Sequence, residues 1–138
     1  MSSALWVLMY DLYVHQRGLH NLIWVLGWAG QNVDPAYDPG RAYYDIAGAD
    51  LYVTDHGNLA PMFAQVKAIV GDSVPICLHE NGAIPDPATL GPRADWLYFL
   101  TWHTRWIMTD EFNTADQIRG YFNAERYLTK DELPGFRP

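Results

Sequence analysis

Glu80 is the acidic residue whose position best suits chemistry. The chain has only four glutamates, and the other three, Glu111, Glu125 and Glu132, lie in predicted loops or in the polar C-terminal segment. Glu80 directly follows a predicted buried strand, in the sequence ICLHENG at 76–82. A carboxylate there, beside aromatic residues, can attack the anomeric carbon of a sugar or stabilise an oxocarbenium-like charge. From the pattern alone, a strand-end residue bonded to loop amides is an equally good interpretation.

Aromatic residues follow the other predicted strands in the same way. Tyr52 lies at the end of the second, Trp102 and His103 at the end of the fourth, and Trp28 after the first. Functional residues of parallel sheets gather beyond the carboxyl ends of the strands. Flat amphipathic rings are typical of sites for sugars and bases, and the chain has six Trp and nine Tyr. The pattern by itself still favours packing roles for Tyr52 and Trp102.

The residue types and their spacing argue against metal, cofactor and nucleotide sites. The histidines lack metal-ligand spacing and there is one cysteine, so we expect no metal and no cofactor. Neither a Gly-x-Gly-x-x-Gly nor a P-loop sequence is present, which argues against nucleotide binding. Cys77 lies inside a predicted strand and is interpreted as a buried apolar filler. His79 and Glu80 are adjacent on that strand, so simple alternation points them to opposite faces.

The elements that must position these residues alternate between helix and strand. Apolar periodicity predicts helices near 4–17, 58–71 and 114–123 and strands near 22–26, 45–53, 74–79 and 96–102. Strand starts spaced by roughly 22 to 29 residues fit repeated βα units with a parallel sheet, in one unit spanning 1–138. Two architectures fit this rhythm: a small doubly wound sheet and part of a (β/α)8 barrel, which in full has about 250 residues.

Four stretches of the chain together point to one family. They are HNLIWV at 20–25, YDPG at 37–40 with YDIAGADLY at 44–52, PICLHENG at 75–82 with Pro85, and 96–103 with 113–114 and 121–134. In this order they resemble the fifth to eighth barrel strands, with their flanks, of glycoside hydrolase family 26, the β-mannanase family. The resemblance covers nearly the whole chain and implies an α/β fold, the C-terminal half of a (β/α)8 TIM barrel.

The resemblance also implies roles for individual residues. Glu80 matches the family's nucleophile, Tyr52 the tyrosine that hydrogen-bonds and orients it, and Trp102 the aromatic platform under the sugar. We take Trp28 and His103 as further substrate-binding residues. The family's general acid/base glutamate ends the fourth barrel strand, which would precede Met1, so we expect the isolated chain to be almost inactive. His79 stands where the family often has Thr or Gly, and the sequence at 27–30 also departs from the family pattern.

Charge and length limit the partners. Sixteen acidic against nine basic residues give a net charge of −7, which disfavours nucleic acid and acidic membranes. The resemblance implies a β-mannan or manno-oligosaccharide substrate by a retaining mechanism. Half a barrel exposes two strand edges, so we expect a homo-oligomer or a complementary barrel half as partner. The alternatives are a non-catalytic half-barrel that self-associates and binds carbohydrate, and an unrelated small α/β domain. The resemblance implies secretion of full-length members, although Met1-Ser2-Ser3 lacks the features of a signal peptide.

Overall fold

A sheet of four parallel strands organises the chain. The computed structural model describes residues 2–30 and 32–135. The strands are β1 (Val25–Ala29), β2 (Ile46–Leu51), β3 (Ile76–Asn81) and β4 (Phe99–Thr101), and they lie side by side in that order. The α-helices are α1 (Ser3–Tyr10), α2 (Ala60–Val70) and α3 (Ala115–Phe122). The predicted parallel sheet with helices is therefore confirmed.

The core lies between one face of the sheet and helix α2. Pro61 occupies the first turn of α2, where its missing N–H costs no hydrogen bond. The predicted apolar face of this helix is buried, and it packs in one cluster with alternate residues of the strands. The buried members include Met62, Phe63, Val66 and Val70 from α2, Ala47, Ala49 and Leu51 from β2, and Ile76 and Leu78 from β3. Alternation leaves Gly48 of β2, and Cys77 and His79 of β3, on the opposite face.

Several predicted boundaries are wrong by a few residues. The first strand begins at Val25 rather than at residue 22, and Ile23 is 73% exposed. Trp24 precedes the ladder: its carbonyl accepts the N–H groups of Asp45 and Ile46, and its own N–H is donated to the Asp45 carboxylate. A continuous apolar run predicts a strand, but it contains no alternation of polar and apolar residues that would mark where the strand begins.

Two other elements also differ from their predicted bounds. The first helix ends as an α-helix at Tyr10 and continues as a π-helix over Asp11–Gln16. The fourth strand is only Phe99–Thr101, and Trp96, predicted as its first residue, instead packs edge-on against Phe63 of α2 with ring centroids 5.0 Å apart. Where the structure describes the Gly/Asp/Pro-rich connection from β1 to β2, it forms only short 3-10 turns. Within residues 2–30 and 32–135, no helix is both long and apolar enough to cross a bilayer.

Candidate active site

A register shift between β2 and β3 sets the position of Glu80. Ala49 pairs with Leu78, but the next residue of β2, Asp50, pairs with Glu80, so His79 is an extra residue in β3. Such an irregularity re-aims side chains. Simple alternation points His79 and Glu80 to opposite faces, yet both lie close enough to Asp50 to interact electrostatically with its carboxyl. Glu80 lies within β3, which runs to Asn81, rather than after the strand as predicted.

Tyr52 and Glu80 form the central contact of the site. The Tyr52 hydroxyl donates a hydrogen bond of 2.6 Å to Glu80 Oε2, between the carboxyl ends of two adjacent parallel strands. Burial, the hydrogen bond to Glu80 and the charges of Glu80 and Asp50 raise the pKa of Tyr52 well above its usual value. The phenol therefore keeps its proton across the neutral range and can donate to the carboxylate.

Two polar atoms beside this pair are buried without partners. Asp50 Oδ1 and His79 Nδ1 make no hydrogen bond to any of the residues that the structure describes. Burial raises the pKa of the Asp50 carboxyl, and the Glu80 charge raises it further, while His79 opposes the shift. The carboxylates of Asp50 and Glu80 therefore place negative charge close together at the ends of β2 and β3.

Asp50→Asn is expected to stabilise the fold at neutral pH and to have little effect at low pH. A raised folded-state pKa means that the native protein holds the Asp50 proton after the unfolded chain has lost it. The cost is absent below the unfolded pKa and is complete once the pH passes the folded pKa. Urea unfolding at the two pH values checks this. A gain in stability that is equal at low and neutral pH would contradict it.

Trp102 and His103 extend the site from the end of β4. The backbone N–H of Trp102 donates a hydrogen bond of 2.9 Å to the backbone carbonyl of Asn81, which holds Trp102 beside the end of β3. Its indole ring meets Tyr52 edge-on, with centroids 6.3 Å apart, and is 37% exposed. His103 packs on Trp102 at 4.8 Å and hydrogen-bonds Thr104, whose φ of 57° turns the chain sharply. The structure thus brings Glu80, Tyr52, Trp102 and His103 to one edge of the sheet.

Trp28 lies apart from that group. It belongs to β1, two strands from Glu80 in the sheet order, and not to the loop after a strand. It is only 4% exposed, packs in the apolar core, and donates its indole N–H to the Asp34 carbonyl at 3.0 Å. A role for Trp28 in substrate binding stays a prediction.

Two residues that build the surroundings of the site were not predicted to do so. Asn113, which the sequence offered with Thr114 as a cap of the last helix, is fully buried and joins the segment after β3 to the segment after β4, and Thr114 is the cap. Trp106 packs against Tyr52 with ring centroids 5.5 Å apart. A buried amide and a loop tryptophan carry no periodic signal, so only their residue types could have suggested them.

Cys77 and the histidines are the side chains in which a metal site would first be sought. Cys77 is fully buried, as predicted. Among the described residues, no group of three or more His, Cys, Asp or Glu side chains is arranged to hold a metal ion.

Comparison with known proteins assigns the family. The model for "Glycosyl hydrolase family 26" matches residues 2–132. The chain is 37% identical over 135 residues to mannan endo-1,4-beta-mannosidase B of Piromyces sp, covering 97% of this chain and 23% of that protein. It superposes on a Podospora anserina β-(1,4)-mannanase with a TM-score of 0.90 and 31% identity, covering 99% of this chain and 30% of that one. A β-mannanase from a protist symbiont of the termite Reticulitermes speratus, solved with a gluco-manno-oligosaccharide, gives a TM-score of 0.87 at 26% identity and covers 96% of this chain and 41% of that one.

A carboxylate at the strand ends of a parallel βα sheet is an arrangement found in glycoside hydrolases. The chain belongs to glycosyl hydrolase family 26. The predicted fold class is confirmed: four parallel strands with helices superpose on (β/α)8 barrel enzymes of family 26, of which this chain covers 30–41%. The chain spans about a quarter of the length of the curated relatives that it matches.

Proposed function

We propose that this chain supplies the nucleophile side of a retaining endo-β-1,4-mannanase. The observation that carries the proposal is the 2.6 Å hydrogen bond from Tyr52 to Glu80 at the strand ends. The names of the relatives, which are mannan endo-1,4-beta-mannosidases, support mannan as the substrate. Trp102 offers a half-exposed indole face on which the C–H groups of a mannose ring can pack.

Glu80 acts as the nucleophile. One Glu80 oxygen forms a bond to the anomeric carbon while the bond from that carbon to the leaving oxygen breaks, and an acid protonates the leaving oxygen. Water then hydrolyses the glycosyl ester and frees Glu80. Tyr52 holds the carboxylate in place by donating to its other oxygen, so that the attacking oxygen is oriented.

The general acid/base comes from a barrel strand outside these 138 residues. A retaining site needs its second carboxyl about 5–5.5 Å from the nucleophile, and proton transfer by that group contributes about 10²–10⁴-fold. The 138 residues alone are therefore almost inactive. They act when the complementary half of the barrel completes the site.

Reconstitution tests this proposal. The chain is combined with the first half of a family 26 mannanase, either joined in one polypeptide or mixed. Release of reducing ends from β-mannan by the combination, and by neither half alone, is the expected result. A soluble self-associated chain that binds manno-oligosaccharides, and a combination that cleaves nothing, would instead favour a non-catalytic carbohydrate-binding half-barrel. The exposed Leu97 and Leu100 beside and within β4 are the observation behind that alternative.

Tyr52→Phe is expected to lower kcat of the combined barrel about 10- to 100-fold. The variant keeps the ring and its packing but removes a hydrogen bond to a charged group, which contributes about 1.5–3 kcal/mol. Steady-state kinetics on mannan oligosaccharides, with kcat and KM separated, measures the effect. A variant as active as the parent would exclude Tyr52 from orienting the nucleophile.

A further inference from the structure

A buried amide ties together the two segments that flank the Tyr52–Glu80 pair. Asn113 is fully buried. Its oxygen accepts the Ile84 N–H at 2.8 Å, and its Nδ2 donates to the carbonyls of Trp106 at 2.6 Å and Gly82 at 3.2 Å. The segment that follows Glu80 and the segment that follows β4 therefore share one polar anchor. Such an anchor is costly to remove because its partners are left buried and unsatisfied.

The Trp106 ring is clamped on two sides. Gly82 approaches it so closely that a Cβ atom there would lie 2.5 Å from Trp106 Cζ3. Phe112 stacks on the ring at 4.1 Å with an interplanar angle of 28°. The Arg105 guanidinium covers Phe112 at 4.9 Å and pairs with Glu111 at 2.5 Å. The indole is thus held between Gly82 and the Phe112 ring, while Asn113 holds the main chain of Trp106.

This clamped ring contacts the residue that donates to Glu80. The centroids of Trp106 and Tyr52 lie 5.5 Å apart, at an interplanar angle of 45°. The other indole beside Tyr52, that of Trp102, is 37% exposed and packs otherwise on His103. Tyr52 is itself 40% exposed, so its own burial does not fix its ring.

We propose that Trp106, anchored by Asn113, is a positioning residue that holds the Tyr52 ring where its hydroxyl reaches Glu80. The proposal rests on the proposed function only in the roles given to Tyr52 and Glu80. Trp106 acts through Tyr52 and needs no contact with substrate. Removing its ring frees Tyr52 to leave Glu80, so the loss of orientation appears in kcat rather than in KM.

The first test is a double-mutant cycle in the combined barrel. Trp106→Leu is expected to lower kcat about tenfold with KM changed less than about twofold. Added to Tyr52→Phe, it should cause no further loss, because both changes remove the same hydrogen bond. Phe122→Leu is the matched control, since Phe122 is an exposed ring on α3 that packs on Phe99. Multiplying losses in the double variant, or an unchanged kcat in Trp106→Leu, would overturn the proposal.

The second test does not depend on turnover. The hydrogen bond from Tyr52 to Glu80 is followed at neutral pH by the 13Cζ chemical shift of labelled tyrosine in the chain, with the signal assigned from its absence in Tyr52→Phe. Donation of the phenol proton to a carboxylate moves this signal away from that of free tyrosine. Trp106→Leu should therefore move the signal toward that of free tyrosine, and Phe122→Leu should not.

The two tests separate the two claims. A parent barrel that cleaves no mannan counts against the proposed function, while the Tyr52 chemical shift still decides the positioning role. Should Trp106→Leu fail to fold, Asn113→Ser keeps the indole and loosens its hydrogen-bonded support, and it should move the Tyr52 signal in the same direction. A Tyr52 signal that is unchanged in the folded variant overturns the proposal.

Discussion

Glu80→Gln is expected to abolish mannan hydrolysis by the combined barrel, with a loss of about 10⁴-fold or more in kcat. The amide keeps the volume of the side chain, and its oxygen can still accept the hydrogen bond from Tyr52. It does not form the glycosyl ester readily, so the first displacement fails. Assembly with the complementary half should be unchanged. A mechanism-based fluorosugar should label Glu80 in the parent combination, which mass spectrometry of the peptides would locate.

Glu125→Gln is the matched control for this experiment. Glu125 is exposed beyond α3, and removing its charge should leave hydrolysis as it is. Cleavage by Glu80→Gln at the parent rate would refute the nucleophile assignment. Asp50 at the end of β2 and Asp55 in the following loop would then be the next carboxylates to test.

Alanine at Gly48 or Gly27 is expected to destabilise the fold by about 1–3 kcal/mol, because His79 fills the space beside both glycines. At Gly27 a Cβ atom would lie 2.5 Å from His79 Cε1 and Nε2, at the far end of the ring. At Gly48 it would lie 2.9 Å from His79 Cβ and 3.2 Å from Cys77 Sγ. The Gly27→Ala clash is with the His79 ring, which a substitution can remove. The Gly48→Ala clash is with atoms that lie close to the backbone of β3.

His79→Ala distinguishes the two positions. It removes the ring but keeps Cβ, so it should relieve most of the cost of Gly27→Ala and little of the cost of Gly48→Ala. Urea unfolding of the combined barrel gives the free energies for both cycles. Equal relief at the two positions would show that the packing on this face differs from that described.

The sequence predicted which helices and strands form better than it predicted the residues at which they begin and end. Helix α2 was predictable because Met62, Phe63 and Val66 repeat at helical spacing and pack on the sheet. The start of β1 was not, because the apolar run before it is uniform and because the Asp45 carboxylate, which is distant in sequence, occupies the N–H of Trp24. Contacts between distant residues decide such boundaries.

In the candidate site, too, local sequence features were predictable and contacts between distant residues were not. Glu80 could be singled out by its place at a strand end, which can be read locally, whereas the roles of Tyr52 and Trp102 came from the family resemblance because the pattern alone favoured packing. The extra residue at His79, which sets Glu80 opposite Asp50, depends on how two strands pair and has no signature within either strand. Asn113 and Trp106 act through loop contacts to Gly82, and loops lack the periodicity from which packing can be inferred.

The buried thiol of Cys77 can report chemically on local opening of the sheet. The chain contains this one cysteine, its side chain is fully buried between β2 and β4, and burial raises the pKa of its thiol. A maleimide can reach the sulfur only when the groups that cover this face of the sheet, Tyr98 among them, move aside. Labelling kinetics, read as a single added mass, therefore measure how often this face of the sheet opens beside Glu80, without any dye, tag or engineered residue.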